Sequence, residues 1–556
     1  LSDFCFPPLA FRGKIYPGPQ ATGQQYDVIL VSGDAYVDHP AFPAAVVCRL
    51  LQHTGLRVAV ISQPDWQKDS DFTVWGTPAR FFAIAPGAMD SMVANYTATR
   101  MPRSKDRLSP GGEPGLRPKR ASQIYSQKVR QLFKKTPVLL GGVEPSMRRF
   151  VHYDFWEDKL RNPILFDAPA DILLYGMAES AVQKVIGWLS DENKEPLPQI
   201  PQTCIKVKSG SWQGRLKQPY EILPSLAACQ SDKKEFMKLA LIVDKAVRPS
   251  GPVLVLQHPK GDIISFPPDI ADLNQEFKIM DELKFARQVH PLYAAGVPAL
   301  EPVQFSLQSH RGCVGACSFC ALSLHQGRTI RSRDLKSIVA EAKDLLAHPQ
   351  FKGTIPDVGG PAVNMYNWEK PENTGSIRPI LEVLQAVAQI DGIRHVFLGS
   401  GLRYDLLKPE EWQLFEKIVF NFISGQLKVA PEHFDREVLM LMRKGANSDF
   451  AAFVSRFYAS CRKHKKNLFL VPYLITAFPG SHKTDSLLVK KVKELNLVHE
   501  QIQEFTPTPG SLASAMYYCE MDMNFRPLKV LKKRAERLNT RKHVHSYKKS
   551  GHKRKK

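Results

Sequence analysis

Cysteine is scarce, with nine residues in 556, too few and too scattered for a disulfide scaffold. No run approaches the ~20 apolar residues of a membrane span. The longest apolar stretches, such as 26–31 and 468–473, have only strand length. Residues 1–20 lack a basic segment followed by an apolar core, so no export signal is read there and the expected location is the cytoplasm, without membrane attachment. Acidic residues are outnumbered, 54 against 76 Lys and Arg, for a formal net charge of +22. Half of that excess sits in one place: between Lys532 and Lys556 twelve Lys or Arg face one acidic residue, Glu536. Such a run reads either as a disordered, solvated tail or as an arm that holds RNA or another polyanion. It lacks the interleaved aromatics of a single-strand stacking surface.

What remains is ordinary globular composition, 43% hydrophobic and 23% charged, in a chain long enough for two or three domains. Residues 1–195 alternate apolar runs (26–32, 57–61, 137–140, 172–175) with helical periods (41–52, 178–189) closed by glycines, the pattern of an α/β, Rossmann-like parallel-sheet domain. Within it, 102–120 is a long basic loop rich in Pro and Gly, free to wander over the surface or to close over an anionic ligand. Residues 196–300 read as a connector or insertion with a helix at 233–247 and a hairpin around 258–262. From 301 to 530 six strand-and-helix units follow, with strands expected at 303–308, 353–358, 395–398, 426–429, 468–473 and 499–505. This pattern points to a partial (β/α)6 TIM-like barrel or a strongly curved parallel sheet, whose chemistry belongs on the loops after the strands. The last residues, 531–556, form the basic tail.

Three of the nine cysteines, Cys313, Cys317 and Cys320, fall within eight positions of the segment His310-Arg311-Gly312-Cys313-Val314-Gly315-Ala316-Cys317-Ser318-Phe319-Cys320. One wrapping loop can turn three thiolates at this spacing toward a common centre. A structural zinc site would need a fourth ligand, for which His310 or His325 is near in sequence. A ferredoxin cluster would use four thiolates, yet the next cysteine is Cys461. Three thiolates on a cubane leave one iron open.

The C-x3-C-x2-C loop after the first strand of a β/α array resembles that of the radical S-adenosylmethionine superfamily. The likeness extends to Gly359-Gly360-Pro361 after the second expected strand, Gly399-Ser400-Gly401-Leu402-Arg403 after the third and Pro431-Glu432-His433 after the fourth. Longer strings, among them Val31-Ser32-Gly33-Asp34-Ala35-Tyr36-Val37-Asp38-His39-Pro40, Gln63-Pro64-Asp65-Trp66, Gly141-Gly142-Val143-Glu144 and Phe505-Thr506-Pro507-Thr508-Pro509, resemble the YgiQ-type UPF0313 group of that superfamily over nearly the whole chain.

The resemblance implies a [4Fe–4S] cluster on Cys313, Cys317 and Cys320, with S-adenosylmethionine on its open iron. Cleavage at the reduced cluster would give a 5′-deoxyadenosyl radical that acts on an unknown substrate. Gly359, Gly360 and Pro361 would receive the cofactor's amino group through the backbone, Ser400 its ribose and Arg403 its carboxylate. Glu432 would handle protons or bind the ribose, although Ser400, Arg403 and Glu432 read equally well as capping or salt-bridging residues. Such chemistry also implies a low-potential electron donor such as flavodoxin or ferredoxin. Asp38-His39 does not reproduce the Asp-x-His-x-x-Gly spacing of base-off cobalamin binders. Asp34, Asp38 and His39 and the polar set Arg148, Arg149, His152, Asp154, Lys159 and Arg161 read as substrate-gripping or structural residues. The competing reading is an RNA-binding protein whose metal loop is only structural.

Overall fold

The computed structural model describes residues 5–18, 25–246, 248–445, 449–497 and 501–540. The basic tail beyond Thr540 and the expected strand start at 499–500 lie outside them. The chain forms two compact units, one ending at Gln304 and one beginning at Phe305.

The first unit is built on eleven strands: β1 (Leu9–Phe11), β2 (Lys14–Tyr16), β3 (Val28–Ser32), β4 (Val58–Ser62), β5 (Phe81–Ala85), β6 (Val138–Gly141), β7 (Ile172–Leu174), β8 (Thr203–Val207), β9 (Tyr220–Leu223), β10 (Val253–Leu256) and β11 (Asp262–Ser265). They lie in the order β9-β10-β11-β8-β7-β6-β5-β3-β4-β1-β2. The six strands from β7 to β1 run parallel. Beyond β7 the pairings with β8, β11 and β10 are antiparallel. The sheet is therefore mixed, where the sequence pattern pointed to a parallel one. Residues 203–265 supply four of its strands, and the expected hairpin is β10 and β11.

All five residues of β3, of β4 and of β5 are buried, as befits central strands covered on both faces. The amphipathic helix Pro43–His53 buries Ala44, Ala45, Cys48, Leu50 and Leu51 and leaves polar residues outside. Strand β5 and the helix Ala121–Leu132 were not among the sequence expectations.

The second unit carries short parallel strands in chain order: β12 (Leu307–Gln308), β13 (Thr354–Ile355), β14 (Val358–Gly359), β15 (His395–Val396), β16 (Gln426–Glu432), β17 (Phe469–Thr476) and β18 (Gln501–Glu504). β12 pairs with β14, β13 with β15, and β16 with β17, which pairs with β18. A single parallel bridge, Leu402 to Val429, continues the series between β15 and β16. Helices separate the strands, among them Arg378–Ala388, whose Ile380, Val383, Leu384 and Val387 are buried at helical spacing. The regular part of the first strand is only Leu307–Gln308, because 301–305 lie in turns. β16 runs three residues past its expected end through a register shift between Val429 and Glu432. Among the described residues no helix is long and apolar enough to cross a membrane.

Candidate functional site

The three cysteines lie on the loop and short turn that join β12 to the helix Ala321–His325. A two-stranded antiparallel ribbon, His310–Arg311 against Arg331–Ser332, closes the base of this segment. Gly312 has φ +82°, and a Cβ there would sit 2.1 Å from the carbonyl oxygen of Thr329, so only glycine lets the two arms close. Hydrogen bonds hold the loop from outside: Cys313 N–H donates to Gly327 O (3.2 Å), Ser318 N–H to Met442 O (3.0 Å), and Ala513 N–H to Ser318 O (2.9 Å). Ser318 Oγ donates to Leu441 O at 2.8 Å.

Burial pushes all three thiols above their ordinary value. Each also feels another of the three: Cys313 the charge of Cys317, Cys317 that of Cys320, and Cys320 that of Cys313. Arg403 and Lys444 pull Cys313 and Cys317 back down, while Glu432 opposes them at Cys317 and Cys320. Among the described residues no three His, Cys, Asp or Glu side chains converge as the direct ligands of one ion would.

The loops that follow the other strands arrive at the same place. A Cβ on Gly315 would lie 2.4 Å from Arg403 Nη1 and 3.3 Å from Cys313 Sγ, so the guanidinium rests on the cysteine loop. Asp405 fixes it in a fork, accepting from Nε at 2.7 Å and Nη2 at 2.5 Å. Asn364 exchanges two bonds with the Arg403 backbone, 3.0 and 3.1 Å, and Val363 N–H donates to Gly401 O at 3.1 Å, so the Gly359–Pro361 loop and the Ser400–Arg403 loop are tied together.

Gly359 and Gly360 have neighbours that forbid a side chain. A Cβ on Gly359 would meet Ser400 Oγ at 2.2 Å, and one on Gly360 the His310 ring at 2.5–2.8 Å. The Gly359 carbonyl accepts from Ser309 N–H at 2.8 Å. Pro361 is half-buried on the turn that leads to Ala362. Ser400 is engaged by Asp357: its Oγ donates to Oδ2 at 2.5 Å and its N–H to Oδ1 at 3.0 Å. Burial raises the Asp357 carboxyl despite these bonds.

Glu432 ends β16 in the left-handed region, φ +65°, just past the register shift. Its carboxylate is buried and lies 3.4 Å from Lys444 Nζ, and burial raises its pKa. The neighbouring His433 is turned the other way, its Nε2 3.5 Å from Asp485.

Of the residues singled out in the second unit, the cysteines, Gly359, Gly360, Ser400, Arg403 and Glu432 are linked by these contacts and charges, and Pro361 follows them in the chain. Sequence reasoning missed Asp405 and Lys444. Lys444 comes from the run Arg443-Lys444-Gly445 after the helix Arg436–Leu441, which carries no motif spacing, so only the return of the chain reveals it.

In the first unit most of the polar residues singled out in the sequence have partners within the unit. Asp38 accepts from Tyr36, Arg49 and the Ala286 amide, and His39 Nε2 lies 3.2 Å from Gln304 O. Arg148 pairs with Asp90, Arg120 with Asp154 at 2.7 Å, and Arg149 stacks 4.5 Å over the Tyr175 ring.

Residues 19–306 match the family described as Radical SAM N-terminal. A UPF0313 protein of Methanocella arvoryzae is 40% identical over 515 residues, covering 88% of this chain and 85% of its own. A UPF0313 protein of Clostridium botulinum is 38% identical over 520 residues, covering 88% and 80%. Among solved structures, the radical S-adenosylmethionine methyltransferase TsrM of Kitasatospora setae, with tryptophan and a cofactor analogue bound, superposes with a TM-score of 0.55 at 14% identity over 94% of this chain and 89% of its own. The same enzyme with cobalamin and a [4Fe–4S] cluster gives 0.53 at 15% identity, over 87% and 77%. At such identity these structures speak for the fold alone. The identity to the curated relatives, sustained along both units, decides the family: the chain belongs to the UPF0313 family of radical S-adenosylmethionine proteins.

Proposed function

We propose that this protein reductively cleaves S-adenosylmethionine at a [4Fe–4S] cluster held by Cys313, Cys317 and Cys320, on the open end of a partial (β/α)6 barrel formed by β12 to β18 and their helices. One observation carries the reading: three half-buried thiols within electrostatic reach of one another, two of them faced by the cations Arg403 and Lys444, with no further cysteine in the sequence between Cys320 and Cys461.

The donor set fits the cluster. Structural zinc wants a fourth protein ligand and a ferredoxin cluster a fourth thiolate, whereas three thiolates on a cubane leave one iron open. When bound and reduced, the cluster supplies one electron to the sulfonium, whose carbon–sulfur bond breaks to methionine and a 5′-deoxyadenosyl radical.

The chain's own residues do the rest. Arg403 and Lys444 favour the thiolate forms that iron requires, against the opposing cost of burial. Asp405 fixes the direction of the Arg403 guanidinium, which suits it to a carboxylate of the cofactor. Asp357 holds Ser400 beside Gly359, and the glycines let these loops approach without side chains between them. Glu432, buried opposite Lys444, is placed to hold a proton or a ribose hydroxyl. A flavodoxin or ferredoxin would bring the electron.

The test is anaerobic reconstitution of the full chain with iron and sulfide, followed by dithionite and S-adenosylmethionine. The expected result is about four irons per chain and reductant-dependent release of 5′-deoxyadenosine, both lost in Cys313→Ala, Cys317→Ala and Cys320→Ala. Stoichiometric zinc in place of iron would sink the proposal.

A further inference from the structure

The parallel part of the first unit's sheet reverses its order at β3. From β3 the chain passes to β4 on one side and then to β5 on the other. Open α/β sheets bind ligands at the carboxyl ends of the strands where such a reversal occurs. Here that crevice is filled by the protein itself. Gly33 N–H donates to Ala85 O at 3.0 Å, and a Cβ on Gly33 would lie 1.9 Å from Pro86 O. Asp34 accepts from Ala88 N–H at 2.6 Å and pairs with Arg117, which arrives from the loop 102–120.

The loop does not lie flat after making that contact. Together with the segments that follow β4 and β5 it lines an open cleft of about 360 Å³, within the ~300–1,000 Å³ of small-molecule sites. Trp66 and Tyr96 contribute aromatic faces, and Arg103, Lys105, Arg117 and Lys119 set four cations against one carboxylate, Asp106.

One feature marks this cleft as a site for an anion. Arg103, Lys105 and Lys119 pair with no carboxylate among the described residues, while the buried Arg117 is spent on Gly33 O, Asp34 and Asp106. Arg103 donates through Nε to the carbonyls of Val93 and Tyr96, and Lys119 lies 5.3 Å over the Tyr96 ring. Asn95 secures the loop by donating to Arg117 O and Pro118 O, so these groups sit on a fixed frame.

We propose that the cleft under the 102–120 loop binds a phosphate-bearing small molecule, with Lys105, Lys119 and Arg103 around the phosphate and Trp66 and Tyr96 as walls for the remainder. This is a site of the first unit, separate from the chemistry proposed for the cysteine loop.

Isothermal titration of the full chain with inorganic pyrophosphate, AMP and adenosine tests it. Pyrophosphate and AMP should bind saturably, adenosine at least tenfold more weakly, and Lys105→Ala/Lys119→Ala should weaken both anions tenfold or more. The thermal midpoint of that variant should be unchanged, since both side chains are exposed. Three outcomes overturn the proposal: no saturable binding of either anion at millimolar concentration, adenosine binding as tightly as AMP, or anion affinity unchanged in the double variant. The last would assign the anion to other cations of the chain, such as the tail. Arg117→Ala is unsuited to this test because it strips the buried Asp34 of its partner.

Discussion

Replacing Arg403 by Met keeps the apolar stem of the side chain and removes its charged head. Arg403 is 11% exposed and Asp405 only 3%, and two bonds of 2.7 and 2.5 Å join them. Removing one partner of such a pair costs about 3–5 kcal/mol, because the other charge is left buried. Lys444 also acts on Asp405, so the lower end, about 3 kcal/mol, is expected. Burial pushes the Asp405 carboxyl up, and the bonds and charge of Arg403 outweigh it, leaving it below the usual carboxylate range.

Without Arg403 burial is less opposed and the Asp405 carboxyl moves up, with Lys444 still holding it down in part. The deficit should therefore narrow as pH falls through the ordinary carboxylate range. The double variant Arg403→Met/Asp405→Leu leaves no orphaned charge and should recover most of the loss. Urea unfolding of the full chain at several pH values, followed by far-UV circular dichroism, reads all three expectations. A single-variant cost below about 1 kcal/mol, as for an exposed pair, or a double variant no better than the single, would refute the account.

Gly360→Ala drives a methyl to within 2.5 Å of His310 Cε1, on a ring whose Nδ1 lies 2.9 Å from Ser309 Oγ. Overpacking of this kind costs about 1–3 kcal/mol, and iron retained after reconstitution should fall with it; undiminished iron and stability would contradict the close approach. Gly33→Ala meets a backbone oxygen rather than a movable side chain and should lower the thermal midpoint more than Gly187→Ala, which has open space. His39 and His152 are buried, which holds each near pKa 3, below the ordinary 6.5. Both stay neutral when folded and take protons when unfolded, so stability is full above about pH 6.5 and falls below it, by about 2 kcal/mol for each at about pH 5. Replacing either by Gln should flatten that part of the stability profile.

The sequence disclosed most where one physical signal dominated. Continuous apolar runs located β3, β4, β6 and β7, because a strand buried on both faces has no polar positions to confuse the pattern. Strand β5, Phe81–Ala85, is as apolar as they are and escaped notice among the loops around it. The barrel-like strands shrank to two residues at 307–308 and 395–396, since the chain turns into the site almost as soon as pairing begins.

At the candidate site, spacing grouped the cysteines, and the family resemblance singled out Ser400, Arg403 and Glu432. Their partners were marked by neither. Asp405 stands two residues beyond Arg403 with no motif to mark it, and Lys444 enters from another helix. Side chains that act through tertiary return leave no periodic trace.

Among the described residues, the eleven-stranded sheet of the first unit lies wholly between Leu9 and Ser265, ahead of Cys313 in the chain. A ribosome therefore completes every strand of that sheet before the cysteine loop has been translated. If the loop holds the proposed cluster, folding of the first sheet does not wait on iron, which the loop would take up only later. Iron shortage should accumulate chains with an intact first sheet and an unfilled cysteine loop, ready for late maturation.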